Sequence, residues 1–145
     1  MKFICKHFDE LSARELYEII RARTEVFLLE QGIVCQDLDR VDYDSLHCFL
    51  ESDGEIAAYL RAYTDEEGVK VGRVLTTTHG VGLGRRLMES ATPKIIEKFN
   101  CDTITLHAQT QARGFYEKLG YTVTSAEFLE EGVPHVTMKI KLKKA

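Results

Sequence analysis

Apolar positions along the chain follow two periods, and each switch between them marks the edge of an element. Phe3 to Phe8 is a short apolar-rich run suited to an opening strand. Asp9 or Ser12 can cap a helix starting just after it, with Glu15 standing three residues after Ser12 in a capping-box arrangement. From Ala13, the positions Leu16, Ile19, Ile20, Val26 and Phe27 recur at helical spacing and predict one long amphipathic helix to about Glu30, stopped at Gly32. Leu46 to Glu51 and Glu55 to Tyr63 are apolar runs joined by Ser52-Asp53-Gly54, a hairpin signal, and a turn at Asp65 to Gly68 leads into Val69 to Thr77. These runs predict three antiparallel strands.

The helical period returns from about Gly82 to Phe99, with Leu83, Leu87, Met88, Ala91, Ile95, Ile96 and Phe99 on one face. Pro93 falls in the middle of this segment, where its missing N–H is expected to bend or interrupt the helix. Thr103 to Ala108 alternates as a strand, Gln111 to Leu119 reads as a short helix ended by Gly120, and Tyr121 to Thr124 resumes extended structure. His135 to Leu142 closes the sheet, with Val136, Met138, Ile140 and Leu142 on one face and Lys139, Lys141 and Lys143 on the other. The order is α/β in a single domain: a largely antiparallel twisted sheet of about seven strands with helices on both faces.

Length and charge narrow the partners more than the chemistry. A chain of 145 residues fits one domain with an ordinary core. The net charge of −4 comes with no basic stripe, since the Lys139, Lys141, Lys143, Lys144 tail reads as the wet side of a strand, so a nucleic-acid partner is disfavoured. No apolar run is long enough for a membrane span and no targeting segment is recognisable, which points to a cytoplasmic protein. Cys5, Cys35, Cys48 and Cys101 are widely spaced and read as structural. Gln36, Asp37, Asp39, Asp42 and Asp44 form an acidic stretch that lacks the Gly and Glu of a calcium loop; it is either an exposed loop or one that faces a substrate cleft.

The chemistry gathers at Gly72 to Met88, where a strand meets a glycine cluster that opens into a helix. Gly80, Gly82 and Gly84 alternate with Val81 and Leu83, leaving the backbone free to adopt unusual conformations and a ligand free to approach it. A helix starting here aims its unpaired N–H groups and positive dipole end at the loop, which makes an anion site, most naturally for phosphate. Arg73, Arg85 and Arg86 add cations to the same neighbourhood. A dinucleotide fingerprint fails because position 85 is Arg, and a P-loop fails for want of Gly-Lys-Ser/Thr. A pyrophosphate cradle of another type remains.

The strand, the G-x-G-x-G loop and the helix start resemble the acyl-CoA-binding motif of the GNAT superfamily of N-acetyltransferases, Arg/Gln-x-x-Gly-x-Gly/Ala. Here it falls on His79-Gly80-Val81-Gly82-Leu83-Gly84, with His79 where Arg or Gln is usual and a loop about two residues shorter than in most members. Within the superfamily the chain is similar to the ElaA-like branch through Arg23-Thr-Glu-Val-Phe27, Glu30-Gln31, Gln36-Asp37-Leu38-Asp39, Asp42, His47 and Phe128-Leu-Glu-Glu-Gly-Val-Pro-His135. The resemblance covers nearly the whole chain and implies a GNAT fold.

It also implies a mechanism. The CoA pyrophosphate would sit on His79 to Gly84 and Arg85, and the pantetheine arm would run along Val74, Leu75 and Thr76 as an added strand. Gln109 would contact the arm or a neighbouring strand. Tyr116, within Gly114-Phe-Tyr-Glu-Lys-Leu-Gly-Tyr121, falls on the family's Tyr-x-x-x-Gly-Phe/Tyr signature and would be the general acid for the leaving thiolate. A base for the amine is sought among His47, Glu30, His107, His135 and Asp37, with His47 and Glu30 favoured; a structural role is the alternative for each. The histidines have no zinc-ligand spacing, so no metal is expected. The implied function is acetyl transfer from acetyl-CoA to a primary amine by direct attack in a ternary complex. The altered loop leaves room for a catalytically degenerate CoA-binding module or a regulatory domain. The acceptor, a small amine or a peptide, is open, and homodimerisation through the terminal strands is compatible with the resemblance alone.

Overall fold

The computed structural model describes residues 1–142, so Lys143 and Lys144 lie outside the described residues. Within them, eight strands form one sheet: β1 (Lys2–His7), β2 (Leu46–Ser52), β3 (Glu55–Asp65), β4 (Gly68–Thr76), β5 (Thr103–Gln109), β6 (Thr122–Val123), β7 (Phe128–Glu130) and β8 (Val133–Lys141). Their spatial order is β1-β2-β3-β4-β5-β8-β6, with β7 also paired to β8. Every pairing is antiparallel except β4 with β5. β7 is the strand beyond the seven expected. It pairs with β8 through Glu131 and Gly132, both at positive φ (51° and 74°), the mirror-image turn that suits a two-residue hairpin.

Alternation along the central strands assigns their faces. Leu46, Cys48 and Leu50 of β2 and Ala58, Leu60 and Ala62 of β3 pack in one cluster with Leu87, Met88, Ala91 and Ile95 of α2 (Leu83–Phe99). The intervening Phe49 and Tyr59 belong to a second cluster with Ile19 and Ala22 of α1 (Ala13–Arg23). Helices therefore cover both faces, which is why β2 and β3 read as apolar throughout. A short helix, α3 (Arg113–Lys118), lies on the α2 side and adds Tyr116 to the larger cluster.

Two local expectations need correction. The first helix is capped by Ser12 and Glu15 as a capping box, but its α-helical part ends at Arg23 and Thr24–Glu30 continues as a π-helix; Gln31 N–H reaches the Val26 carbonyl at 3.0 Å. Pro93 does not interrupt α2, which is continuous from Leu83 to Phe99; the Thr92 hydroxyl donates to the Met88 carbonyl at 2.6 Å one residue before the proline. Cys5 and Cys48, distant in sequence, face each other across β1 and β2 with their sulfurs 3.6 Å apart.

Candidate active site

β4 and β5 run parallel but pair only over Val69–Val71 and Ile104–Leu106, then diverge for the rest of their length. A bulge helps to separate them: Tyr59 and Arg61 of β3, two residues apart, face Leu75 and Gly72 of β4, three apart, and Arg73 takes φ 53°. The gap is a cleft of about 510 Å³ lined by Gly72 to Val74 on one side and Leu106, His107 and Gln109 on the other. The backbone of β4 past Val71 has no described strand partner on this side, so an extended chain of alternating amide and carbonyl groups can add there.

At the end of β4 the glycine loop leads into α2. Gly80 and Gly82 stand at φ 77° and 78°, with open space where a Cβ would be. Gly84 has another role: a Cβ there would lie 3.1 Å from Cζ of Phe115, so its bareness lets α2 seat against α3. The helix has no side-chain cap and no acid in its first turn, and the Arg86 N–H is the one that reaches the Gly82 carbonyl, at 3.2 Å. The amides ahead of it lack helical partners, as an anion site requires.

The cations expected to crowd this loop are engaged elsewhere. Arg73 Nε donates to Asp37 Oδ1 at 2.7 Å, Arg85 Nε to Glu89 Oε1 at 2.6 Å, and Arg86 Nη2 to the Met1 carbonyl at 3.2 Å. His79 is held between the Thr76 hydroxyl, 3.0 Å from Nδ1, and the Glu30 carboxylate, which contacts Nε2. Val81 is exposed, Leu75 is buried under the second core cluster, and Gln109 donates to Gln31 across the cleft at 2.9 Å.

Three aspartates of the acidic stretch, Asp37, Asp39 and Asp42, are paired with arginines. Arg61 grips Asp39 through two bonds of 2.7 Å and reaches Asp42 Oδ1 at 3.1 Å. Arg23, 1% exposed, bonds Asp42 Oδ1 at 2.5 Å and Asp37 Oδ2 at 3.0 Å. Three aspartates and three arginines thus neutralise one another, and Asp37 and Asp39 line the cleft already paired. Hydrogen bonds from Arg61 bring the Asp39 pKa down to about 2. Burial raises Asp42, but the hydrogen bonds and charges of Arg23 and Arg61 outweigh it and leave its carboxyl below the usual range.

His47 and Glu30, the favoured bases, do not join Tyr116. His47 is wholly buried on the α1 side: its Nε2 donates to the Asp42 carbonyl at 2.9 Å, which fixes the tautomer, and its Nδ1 accepts from the Tyr59 hydroxyl at 2.7 Å. Burial pushes its pKa down, so it stays neutral. Glu30 stands at the glycine loop with His79.

Three other side chains line the cleft along with Tyr116: His107, His135 and Glu130. Glu130 Oε1 bonds His107 Nδ1 at 2.9 Å, and Phe128 packs edge-on against His107 and stacks on His135. Tyr116 itself is held by Phe115 and Tyr121, with ring centroids at 5.0 and 5.8 Å, and burial raises its pKa. Glu130 was missed from sequence because β7 was; the apolar pair Phe128 and Leu129 before Glu131-Gly132 was the available signal.

A sheet splayed between two parallel strands, with an uncapped glycine-started helix at the mouth of the split, defines an acyltransferase architecture. The chain belongs to the GNAT acetyltransferase family, whose domain it matches over residues 13–142. It is similar to the protein ElaA of Escherichia coli, 30% identical over 91% of each chain; against the ElaA crystal structure the TM-score is 0.91 at 28% identity, covering 97% of this chain and 100% of that one. An acyl-CoA N-acyltransferase from Pseudomonas aeruginosa superposes with a TM-score of 0.90 at 32% identity over 97% and 99% of the two chains. The fold is also shared, at 17% identity and a TM-score of 0.69 over 97% and 99%, with the PaiA N-acetyltransferase of Thermoplasma acidophilum, which was crystallised with coenzyme A. No described helix is long and apolar enough to cross a membrane.

Proposed function

We propose that this chain transfers an acetyl group from acetyl-CoA to a primary amine by direct attack in a ternary complex. The observation that carries the reading is the unpaired edge of β4 leading into the uncapped start of α2: one continuous track with amide donors for a diphosphate at one end and backbone for a pantetheine arm along it. The loop His79 to Gly84 takes the pyrophosphate, and Arg85, paired with Glu89 at the surface, exchanges that carboxylate for it. Val74, Leu75 and Thr76 supply backbone to the arm, and Gln109 faces it from β5. The coenzyme A bound by the T. acidophilum protein supports this choice of carrier.

Tyr116 then serves as the acid. Attack by the amine forms a C–N bond, the C–S bond breaks, and the departing sulfur takes the phenolic proton. Burial raises the phenol, but the same desolvation acts on a thiolate beside it, so the two affinities for the proton rise together. The cytoplasm, where acetyl-CoA is available, is the setting this chemistry fits, and no metal takes part in it. Pairing of two copies through the terminal strands is compatible with the reading and not required by it. Thiol release from acetyl-CoA, measured against pooled primary amines, tests the reading: amine-dependent release supports it, and acetyl-CoA binding without release from any pool indicates a degenerate binding module.

A further inference from the structure

On one wall of the cleft two proton acceptors face each other with no proton assigned between them. His135 is 7% exposed, and its Nδ1 lies 2.7 Å from the Val133 carbonyl, an acceptor only, so Nδ1 carries the hydrogen and the lone pair of the neutral ring is on Nε2. Nε2 is 3.6 Å from Glu130 Oε2, too long for a hydrogen bond. The other oxygen of Glu130 is occupied by His107 Nδ1 at 2.9 Å, which leaves Oε2 for a ligand. Both groups line the same cleft as Tyr116.

Charge in the cleft points the same way. Arg61, Arg73 and Lys70 each have a carboxylate partner, in Asp39, Asp37 and Asp65. Among the described residues, Glu130 has imidazoles alone for company, and the adjacent Glu131, held at φ 51° in the turn, has no cation against it. Glu130, left uncompensated by guanidinium or ammonium, thus sits beside the free lone pair of His135.

We infer that Glu130 Oε2 and His135 Nε2 together form the docking site for the ammonium of a cationic primary amine, with His135 as the base that deprotonates it. The inference rests on the transferase reading above. An ammonium carries three donors and fits between two acceptors that cannot bond each other. Its first proton passes to His135 Nε2, and the freed electron pair forms the C–N bond to the thioester carbon. The C–S pair leaves on sulfur, which takes the Tyr116 proton; the surplus proton on the amide nitrogen restores the phenol, and His135 releases its own to solvent. His107 acts through Glu130 as a positioning residue. Glu130 on β7 stands against His135, and the titratable groups Glu131 in the turn, His107 on β5, Tyr116 on α3, Cys35 and Asp37 line the same cleft.

The test uses the full chain with acetyl-CoA, a panel of primary amines and n-butylamine as the common probe. His135→Asn keeps a donor for the Val133 carbonyl but has no basic nitrogen. It is expected to lower kcat/KM for the amine by about 10²-fold or more, leave acetyl-CoA affinity unchanged, and abolish the rise of kcat/KM with pH that belongs to the base. Glu130→Gln is expected to raise KM for cationic amines about tenfold with a smaller change in kcat. Independently of turnover, n-butylamine is expected to shift the ¹⁵N resonance of His135 Nε2 in the wild-type protein and not in Glu130→Gln. Wild-type turnover with unaltered His135→Asn kinetics, or no resonance shift at millimolar amine, overturns the inference and leaves the transferase reading standing. A shift without turnover of any amine sinks the transferase reading and the base role with it, leaving an ammonium site alone.

Discussion

Tyr59 donates its hydroxyl hydrogen to His47 Nδ1 at 2.7 Å, and both side chains are completely buried on the face of the sheet that α1 covers. The bond requires a neutral imidazole, because a second ring proton would confront the phenolic one. Burial lowers the folded pKa of His47 below its unfolded value of about 6.5. The stability this group contributes is therefore present above that value and is lost as pH falls through the folded one, the unfolded chain binding the proton first.

Acidification should act in two stages. The first decline begins below about pH 6.5 from His47. The second begins near pH 4, the ordinary range of a free Asp, and Asp39 completes it as pH falls through its folded value of about 2. Urea unfolding across pH reads both, and His47→Gln is expected to remove the first stage and spare the second.

Asp42 is shared by Arg23 and Arg61, with both guanidinium groups nearly wholly buried. Asp42→Ala removes the partner shared by two buried cations, which keep Asp37 and Asp39, and is expected to cost about 1–3 kcal/mol in chemical denaturation. The exposed Asp44, two residues on, is the control. Asp44→Ala should stay within about 0.5 kcal/mol.

Gly84→Ala places a methyl group 3.1 Å from Cζ of Phe115 at a helical position where backbone strain is not at issue. The expected cost is about 1–3 kcal/mol of overpacking, recovered in part by Phe115→Leu. Gly80→Ala meets open space and is strained instead by its φ of 77°, so it should lose about 1 kcal/mol with no rescue from Phe115.

Tyr116→Phe keeps the ring between Phe115 and Tyr121 and removes the hydroxyl alone. Thermal unfolding is expected to change little, while kcat falls about 10²–10⁴-fold. Unchanged turnover in this variant removes the tyrosine from the acid role.

Features encoded by short stretches were legible in the sequence. The Ser12 cap, the turn at Asp53 and Gly54, and the glycine loop all depend on residues within a few positions of one another, and each stands where its local chemistry put it. The arginine–aspartate network was hidden because its partners, Arg23 with Asp42 and Arg73 with Asp37, are 19 and 36 residues apart. An acidic stretch looks the same in sequence whether it is solvated or paired. His47 had the residue type of a catalytic base, yet it stands on β2, two strands from the split between β4 and β5, wholly buried between the Asp42 carbonyl and the Tyr59 hydroxyl. The π-helix at Thr24–Glu30 has the same apolar spacing as an α-helix over so short a span and leaves no separate mark.

The central claim is that the amides opening α2 and the free edge of β4 hold acetyl-CoA. Backbone amide shifts followed during titration with acetyl-CoA address it residue by residue. The account predicts saturable shifts concentrated at Gly80 to Arg85 and at Val74 to Thr76. Amides in those two segments that stay fixed up to millimolar acetyl-CoA, or shifts confined to another face of the sheet, would contradict it.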